Sequence, residues 1–424
     1  MRTEVSNLDQ PSVSEPRCSV KRPGNNDRFL IAAVFIFISF GIGLSMFAVG
    51  PITPLIITEY SINRSSASLL VSLIPLTHIF LGLPSGVVVS KIGPSNGVLL
   101  AAVLASAPMF SFLSVDYSIL LFLRVVYAIG ICLMFPAVIS LVNKWFPANE
   151  LATFNGLFVI SFSLATAVST FTVARIADML GWSVALSMMG IMPLLGAALW
   201  LVIGHRKTDN TQIENNSRNG IGIVGIIRDR NTILIALADA GPYALITAAV
   251  AWLPAFYHEV RGMTLIEAGS SIGIMSVAGT LSLIASSILV LRVRKRRPFL
   301  IVPGIVAGFA GIGSILLYDN LMMVALIALG FACWFYVPVL ITIPMQLHAS
   351  HPERVPIIMG VMISVGSFFS FMSPITVGMS ADLLGSYVPG LFLFSILAWS
   401  LAICGMLLPE TGSSKDQLIP KHQS

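Results

Sequence analysis

The sequence predicts an all-α membrane protein, twelve transmembrane helices arranged as two six-helix halves that repeat each other in parallel. Three observations carry this. Of 424 residues, 56% are hydrophobic and 10% charged, with a mean hydropathy of +0.90, whereas charged residues make up about a quarter of a soluble domain. Twelve runs reach the roughly 20 apolar residues that a helix needs to cross hydrocarbon, where backbone N–H and C=O groups must pair within the segment. Finally, the last six runs repeat features of the first six.

The elements follow in chain order. Residues 1–28 form a polar tail. Span 1 covers about 29–58, too long for the apolar region of a cleaved signal peptide, and is expected to stay in the membrane. Spans 2 to 6 cover about 66–90, 95–114, 118–143, 150–174 and 182–203, which makes 29–203 one six-helix half. Residues 204–230, rich in Asn, Asp, Arg and Lys, read as a cytoplasmic linker too short to be a domain. Spans 7 to 12 cover about 231–257, 265–291, 298–317, 321–347, 354–380 and 387–408. The second half is therefore 231–408, followed by a tail at 409–424.

The repeat can be read residue by residue. A shift of 204 aligns Gly156 with Gly360, Ser163 with Ser367, Ala177 with Ala381, Asp178 with Asp382 and Gly181 with Gly385. A shift of 200 aligns "PLIITE" (Pro54 to Glu59) with "PAFYHE" (Pro254 to Glu259). Six spans is an even number, so matching elements keep the same orientation, as in halves related by an axis along the membrane normal. The phrases "ADMLG" and "ADLLG" then mark equivalent ends of spans 5 and 11. Asp178 and Asp382 are expected there as turn or N-cap residues, with an outer gating pair such as Asp178 with Arg175 as the other reading.

Charge sets the orientation. With the N-terminus inside, twenty Lys and Arg fall on the inner side and Arg64, Arg175 and Arg261 on the outer side. This positive-inside asymmetry puts both termini in the cytoplasm of a multi-pass cell-membrane protein. The net charge of +5 is spread over short loops and implies no nucleic-acid partner. The run "RVRKRRP" is a topology signal or a contact for anionic lipid headgroups. Cys132, Cys333 and Cys404 lie in apolar segments without CxxC spacing, so neither disulfides nor a metal site follow. No P-loop, HExxH or GxSxG is present, so the chain reads as no enzyme, with no cofactor.

After span 2 the chain reads "GVVVSKIGPSNG" (Gly86 to Gly97), with Gly86, Lys91 and Gly93 at spacings that resemble the Gly-x-x-x-Asp-Arg/Lys-x-Gly loop of the major facilitator superfamily. Ser90 stands where that family has Asp. Span 4 carries "RVVYAIG" (Arg124 to Gly130), similar to the family's Arg-x-x-Gln-Gly-x-Gly, with Tyr127 in the Gln position. Within the family, the stretches Trp252 to Gly273 and Asn143 to Glu150 look like the cyanate-permease and small-organic-anion branch. The Gly-Pro pair that drug/proton antiporters carry in span 5 is missing. So are the glycine signatures and the arginines of spans 2 and 8 found in nitrate porters. The resemblance implies a monomeric secondary active transporter of a small, anionic or weakly polar solute, working by alternating access, with protons as the candidate coupling ion. An efflux pump for amphipathic compounds and a non-transporting sensor on the same scaffold are the alternatives; the short linker and tails leave a sensor little signalling surface.

An ionisable side chain inside the bilayer is costly, so each is a functional candidate. Arg124 offers a cation for a substrate carboxylate, or it snorkels or bonds backbone carbonyls; Tyr127 shares its face one turn on. Asp239 precedes Gly241 and Pro242, where span 7 is expected to bend, and suits proton coupling or a hydrogen bond to a neighbouring helix. His78 is a second proton site or a neutral interface histidine. Tyr243, Trp252, Trp334, Tyr336 and Gln346 are candidate substrate contacts or packing and anchoring residues, with Pro338 and Pro344 breaking span 10.

Overall fold

The computed structural model describes residues 25–146, 148–204, 223–293, 295–347 and 354–411. Residues 1–24 and 412–424 of the tails and 205–222 of the linker lie outside the described residues.

The first span is two helices, α1 (Asn25–Met46) and α2 (Val49–Tyr60). Pro51 accounts for the interruption, while Pro54 lies inside α2. Pro51 has no N–H for the carbonyl four residues back, at Phe47, and Phe47 O instead takes a 3.3 Å bond from Gly50 N. One turn, α3 (Arg64–Ala67), leads into α4 (Leu69–Ile92), in which Leu69–Gly82 and Pro84–Ile92 together make one bent span. The first half continues through α5 (Pro94–Ala105) with a 3₁₀ extension Ala107–Leu113, α6 (Tyr117–Trp145), α7 (Ala148–Leu180) and α8 (Trp182–Leu199).

The short α9 (Ile223–Ile227) opens the second half, followed by α10 (Arg230–Glu259), α11 (Leu265–Arg292) and α12 (Pro298–Leu316). The tenth span is again broken, into α13 (Asp319–Phe335) and α14 (Val337–Leu347). Then come α15 (Val355–Leu384), α16 (Val388–Leu397) and α17 (Ser400–Leu407). Among the described residues eleven helices are long and apolar enough to cross a membrane, and twelve with the bent α4. An even number brings the start of α1 and the end of α17 to one face, here the terminal face; the opposite face is distal.

In span 7, α10 continues as helix through Gly241 and Pro242, and the last span packs closely there, since a Cβ on Gly241 would come 2.2 Å from the Leu397 carbonyl. One expectation is corrected: Asp178 and Asp382 are not N-caps of the next helix. α7 and α15 extend past them, and the turns are made by Gly181 (φ +88°) and Gly385 (φ +68°), a region glycine enters without steric cost. The caps of α8 and α16 are Gly181 and Tyr387, and neither makes a side-chain cap bond.

The halves meet where α2 packs on α10, α4 on α15 and α7 on α11. Toward the distal face this seam is built on glycine. A Cβ on Gly50 would lie 2.2 Å from Val250 O, one on Gly378 2.9 Å from Arg64 O, and one on Gly273 2.6 Å from the Phe171 ring. Ser163 and Thr280 share a 2.7 Å hydrogen bond across it.

Candidate transport site

A cavity of about 330 Å³ lies between the halves, walled by α1, α4, α6 and α7 on one side and by α10, the α13–α14 break and α15 on the other. Its walls are mostly apolar, with Phe47, Ile131, Phe135 and Phe162 from the first half and Ile246 and Met362 from the second. The polar groups that reach it include His78, Asp239, Tyr243, Tyr336 and Ser367.

Asp239 is the one carboxylate in this lining. Its Oδ1 accepts a 2.9 Å hydrogen bond from the Tyr336 hydroxyl. Tyr336 is placed there by the broken tenth span: Pro338 has no N–H for the carbonyl of Trp334, α13 stops at Phe335, and Tyr336 occupies the gap. On the other side of the acid, Gly366 of α15 has no side chain; a Cβ would come 2.6 Å from Asp239 Oδ2. Tyr243 stands one turn further along α10, and the next turn is tied to α15 by a 2.8 Å bond between Thr247 and Ser370.

The structure thus gathers His78, Asp239, Tyr243, Trp334 and Tyr336 around one cavity and leaves the other candidates outside its lining. Arg124 is 2% exposed, and its guanidinium donates to Leu70 O (2.9 Å), Ser45 O (2.8 Å) and Met46 O (3.0 Å). Tyr127 donates to Ile42 O at 2.7 Å. Three of these four carbonyls belong to the end of α1, where helix termination leaves carbonyls without intrahelical partners. Of the readings open for Arg124, the geometry is that of backbone bonding. Trp252 is fully buried in the second half, its Nε1 donating to Pro374 O at 2.8 Å. Gln346 accepts from Thr411 Oγ1 at 2.8 Å beside the terminal face. The expected loop after span 2 is instead largely helical: Gly86, with open space beside it, and the exposed Lys91 lie in the last turns of α4, and Gly93 alone links α4 to α5; none lines the cavity.

A second constellation closes the distal face. Asp382 of α15 accepts from Arg64 N (3.1 Å), Ser65 N (2.8 Å) and Ser65 Oγ (2.5 Å), so a carboxylate of the second half caps α3 of the first. Arg64 donates through Nη2 to Glu259 (2.7 Å) and through Nε to the Tyr387 hydroxyl (2.6 Å), and that hydroxyl donates to Glu259 (2.9 Å). The Glu259 carboxylate pushes the Arg64 ionisation above its usual range, and burial pushes the Tyr387 phenol up. Asp178, the repeat partner of Asp382, is exposed and makes no hydrogen bond or ion pair among the described residues, with Arg175 or any other group. Sequence reasoning singled out Asp382 but missed Ser65, Glu259 and Tyr387. The repeated acid Glu59/Glu259 was the available signal.

Comparison with known proteins agrees with this architecture. An uncharacterized protein of Campylobacter jejuni is 25% identical over 242 residues, 56% of this chain and 72% of that protein. The hexuronate transporter of Bacillus subtilis is 22% identical over 224 residues, and the 4-hydroxybenzoate transporter PcaK of Pseudomonas putida 26% over 201; the matches span 50% and 45% of this chain and 52% and 45% of those two. Among solved structures, a bacterial homolog of the human lysosomal transporter Spinster superposes with a TM-score of 0.69 over 90% of this chain and 96% of its own, at 14% identity. The sequence profile of the Major Facilitator Superfamily matches residues 35–374. With its twelve helices in two repeated halves around one cavity, the chain belongs to the Major Facilitator Superfamily of transporters.

Proposed function

We propose that this transporter carries a small organic acid with an apolar body, together with a proton, by alternating access at the cavity between its halves. The observation that carries the reading is the Asp239–Tyr336 pair set in an otherwise apolar chamber. While Asp239 is ionised, a substrate carboxylate entering the chamber meets a like charge with little water to screen it. Protonation removes that repulsion and frees the Tyr336 hydroxyl as a donor for the substrate, so anion and proton enter together. Two of the relatives are by name transporters of organic acids, hexuronate and 4-hydroxybenzoate, and the aromatic walls suit the second kind of body.

The Arg64–Glu259–Tyr387 triangle and the Asp382 cap serve in this reading as the distal gate, shut in the conformation described. The excess of Lys and Arg on the terminal side supports a cytoplasmic position for that face. Release of the latch exposes the cavity to the outside, and the halves then rock about the glycine seam.

The test is uptake into proteoliposomes of 4-hydroxybenzoate, a hexuronate and cyanate, with and without an imposed proton gradient. Gradient-dependent accumulation of an aromatic acid is expected. A fixed carboxylate among aromatic side chains also suits a lipophilic cation. Accumulation of such a cation against a proton gradient, with no organic acid carried, would replace this reading by the efflux pump.

A further inference from the structure

We infer that the terminal ends of α11, α12 and α13 hold one anionic diacyl phospholipid, its acyl chain in a groove on the outer wall of the bundle and its headgroup on the basic loop before α12. This site is separate from the transport cavity.

The groove encloses about 300 Å³ and is lined by Leu289, Pro298, Phe299, Val302, Val306 and Phe335 among others. Phe299 is 5% exposed and Val302 58%, so the groove has a closed floor and an open side. An aromatic stack forms the floor: Phe299 and Phe335 lie 5.6 Å apart at 12°, and Phe335 and Phe331 5.1 Å apart at 23°. From Pro298 to Val306 it descends eight residues, about 12 Å at about 1.5 Å per residue, a length matched to the first part of an acyl chain.

The rim has the complementary charge. Arg292 lies three residues after Leu289, on the same face of α11, and Lys295, Arg296 and Arg297 run directly into Pro298. Arg296 folds inward onto the carbonyls of Val290 (2.7 Å) and Val293 (3.1 Å), with its Nε buried and unpartnered. Arg297 gives its Nε to Leu408 O at 2.8 Å. Glu410 accepts the backbone N–H groups of Arg296 (2.5 Å) and Arg297 (3.3 Å) with its carboxylate. Among the described residues the ion pairs are Arg28–Glu150 and Arg64–Glu259, so the side chains of Arg292, Lys295 and Arg297 form no ion pair there. A topology signal requires the charges but not a groove beneath them. Basic side chains at the membrane surface joined to an apolar slot select an anionic headgroup that carries its own tail.

The experiment uses the purified full chain, stripped of lipid in detergent and titrated with phosphatidylglycerol or phosphatidylcholine of identical chains, with bound lipid counted by native mass spectrometry. One tightly retained phosphatidylglycerol is expected, preferred over phosphatidylcholine by roughly tenfold or more. Joint Arg292→Gln, Lys295→Gln and Arg297→Gln should abolish the preference. Val302→Trp fills the open side of the groove, leaves the charges in place and should abolish retention of either lipid, while transport-site ligand binding certifies the fold of both variants. Equal retention of the two lipids by the natural chain, or a preference that survives Val302→Trp, would overturn the assignment. So would displacement of the lipid by glycerol 3-phosphate at equal concentration, which would make this a site for soluble anions.

Discussion

At the scale of single residues, Arg124 is buried and Asp239 lines the cavity, and their surroundings differ. Arg124 has its donors committed to backbone oxygens. Truncation would leave buried carbonyls without partners, each worth about 1–3 kcal/mol. Arg124→Gln is therefore expected to lower stability by about 3 kcal/mol, seen as a drop in melting temperature in detergent, while substrate affinity of the folded protein changes little. Unchanged melting with lost affinity would return Arg124 to the transport site. Lys cannot rescue it, because one ammonium cannot reproduce the fork. Asp239 instead has a single side-chain donor and an open chamber beside it. Asp239→Asn is expected to abolish proton-driven accumulation yet permit substrate exchange, measured by counterflow; full gradient-driven uptake by this variant removes the coupling role.

At the scale of elements, interrupted helices do the positioning. The gap between α1 and α2 creates the carbonyls that Arg124 meets, and the gap between α13 and α14 puts Tyr336 against Asp239. The distal latch is likewise an element contact, a helix N-terminus closed by the other half. A cap of this kind contributes about 1 kcal/mol, and the partly exposed Arg64–Glu259 pair adds less than that. Asp382→Ala should thus raise the distal-open to distal-closed ratio about fivefold, read by electron-spin distance measurements between labels at Ile62 and Ser386. No change in that distribution would show that the latch is ornamental. The ionisations of Arg64 and Tyr387 are both pushed up, so neither side chain changes charge between about pH 6 and 8.

At the scale of the whole molecule, two duplicated halves have diverged in use. Asp382 and Glu259 work in the latch, whereas their counterparts Asp178 and Glu59 sit outside it. The glycine seam decides how closely the halves meet, and Gly50→Ala tests it. The added methyl would stand 2.2 Å from Val250 O, so the distal face cannot close fully; the turnover rate should fall several-fold with a shift of the same spin distances toward the open state. Spans, repeat and family were legible in the sequence because hydrocarbon demands long apolar runs and duplication leaves a fixed offset. Helix ends were less so, since α7 and α15 continue into polar turns beyond their greasy cores. Asp239, His78, Tyr243, Trp334 and Tyr336 were legible because polar or aromatic groups at that depth need a reason. Phe135, Phe162 and Met362 were not, because a cavity wall and a lipid-facing wall are written in the same letters.

The clamp on the end of α1 also bears on how the protein is made. Ser45 and its partner Arg124 are 79 residues apart, so at roughly 5–20 residues per second the ribosome delivers the arginine about 4–16 s after the serine. Until then the interrupted first span has no cation for its free carbonyls and must wait in the membrane or the insertion machinery. Glu259 follows Arg64 by 195 residues and Tyr387 follows it by 323. The N-terminal bundle can therefore set its core before the rest of the chain exists, whereas the distal latch can close only when synthesis has reached the last span.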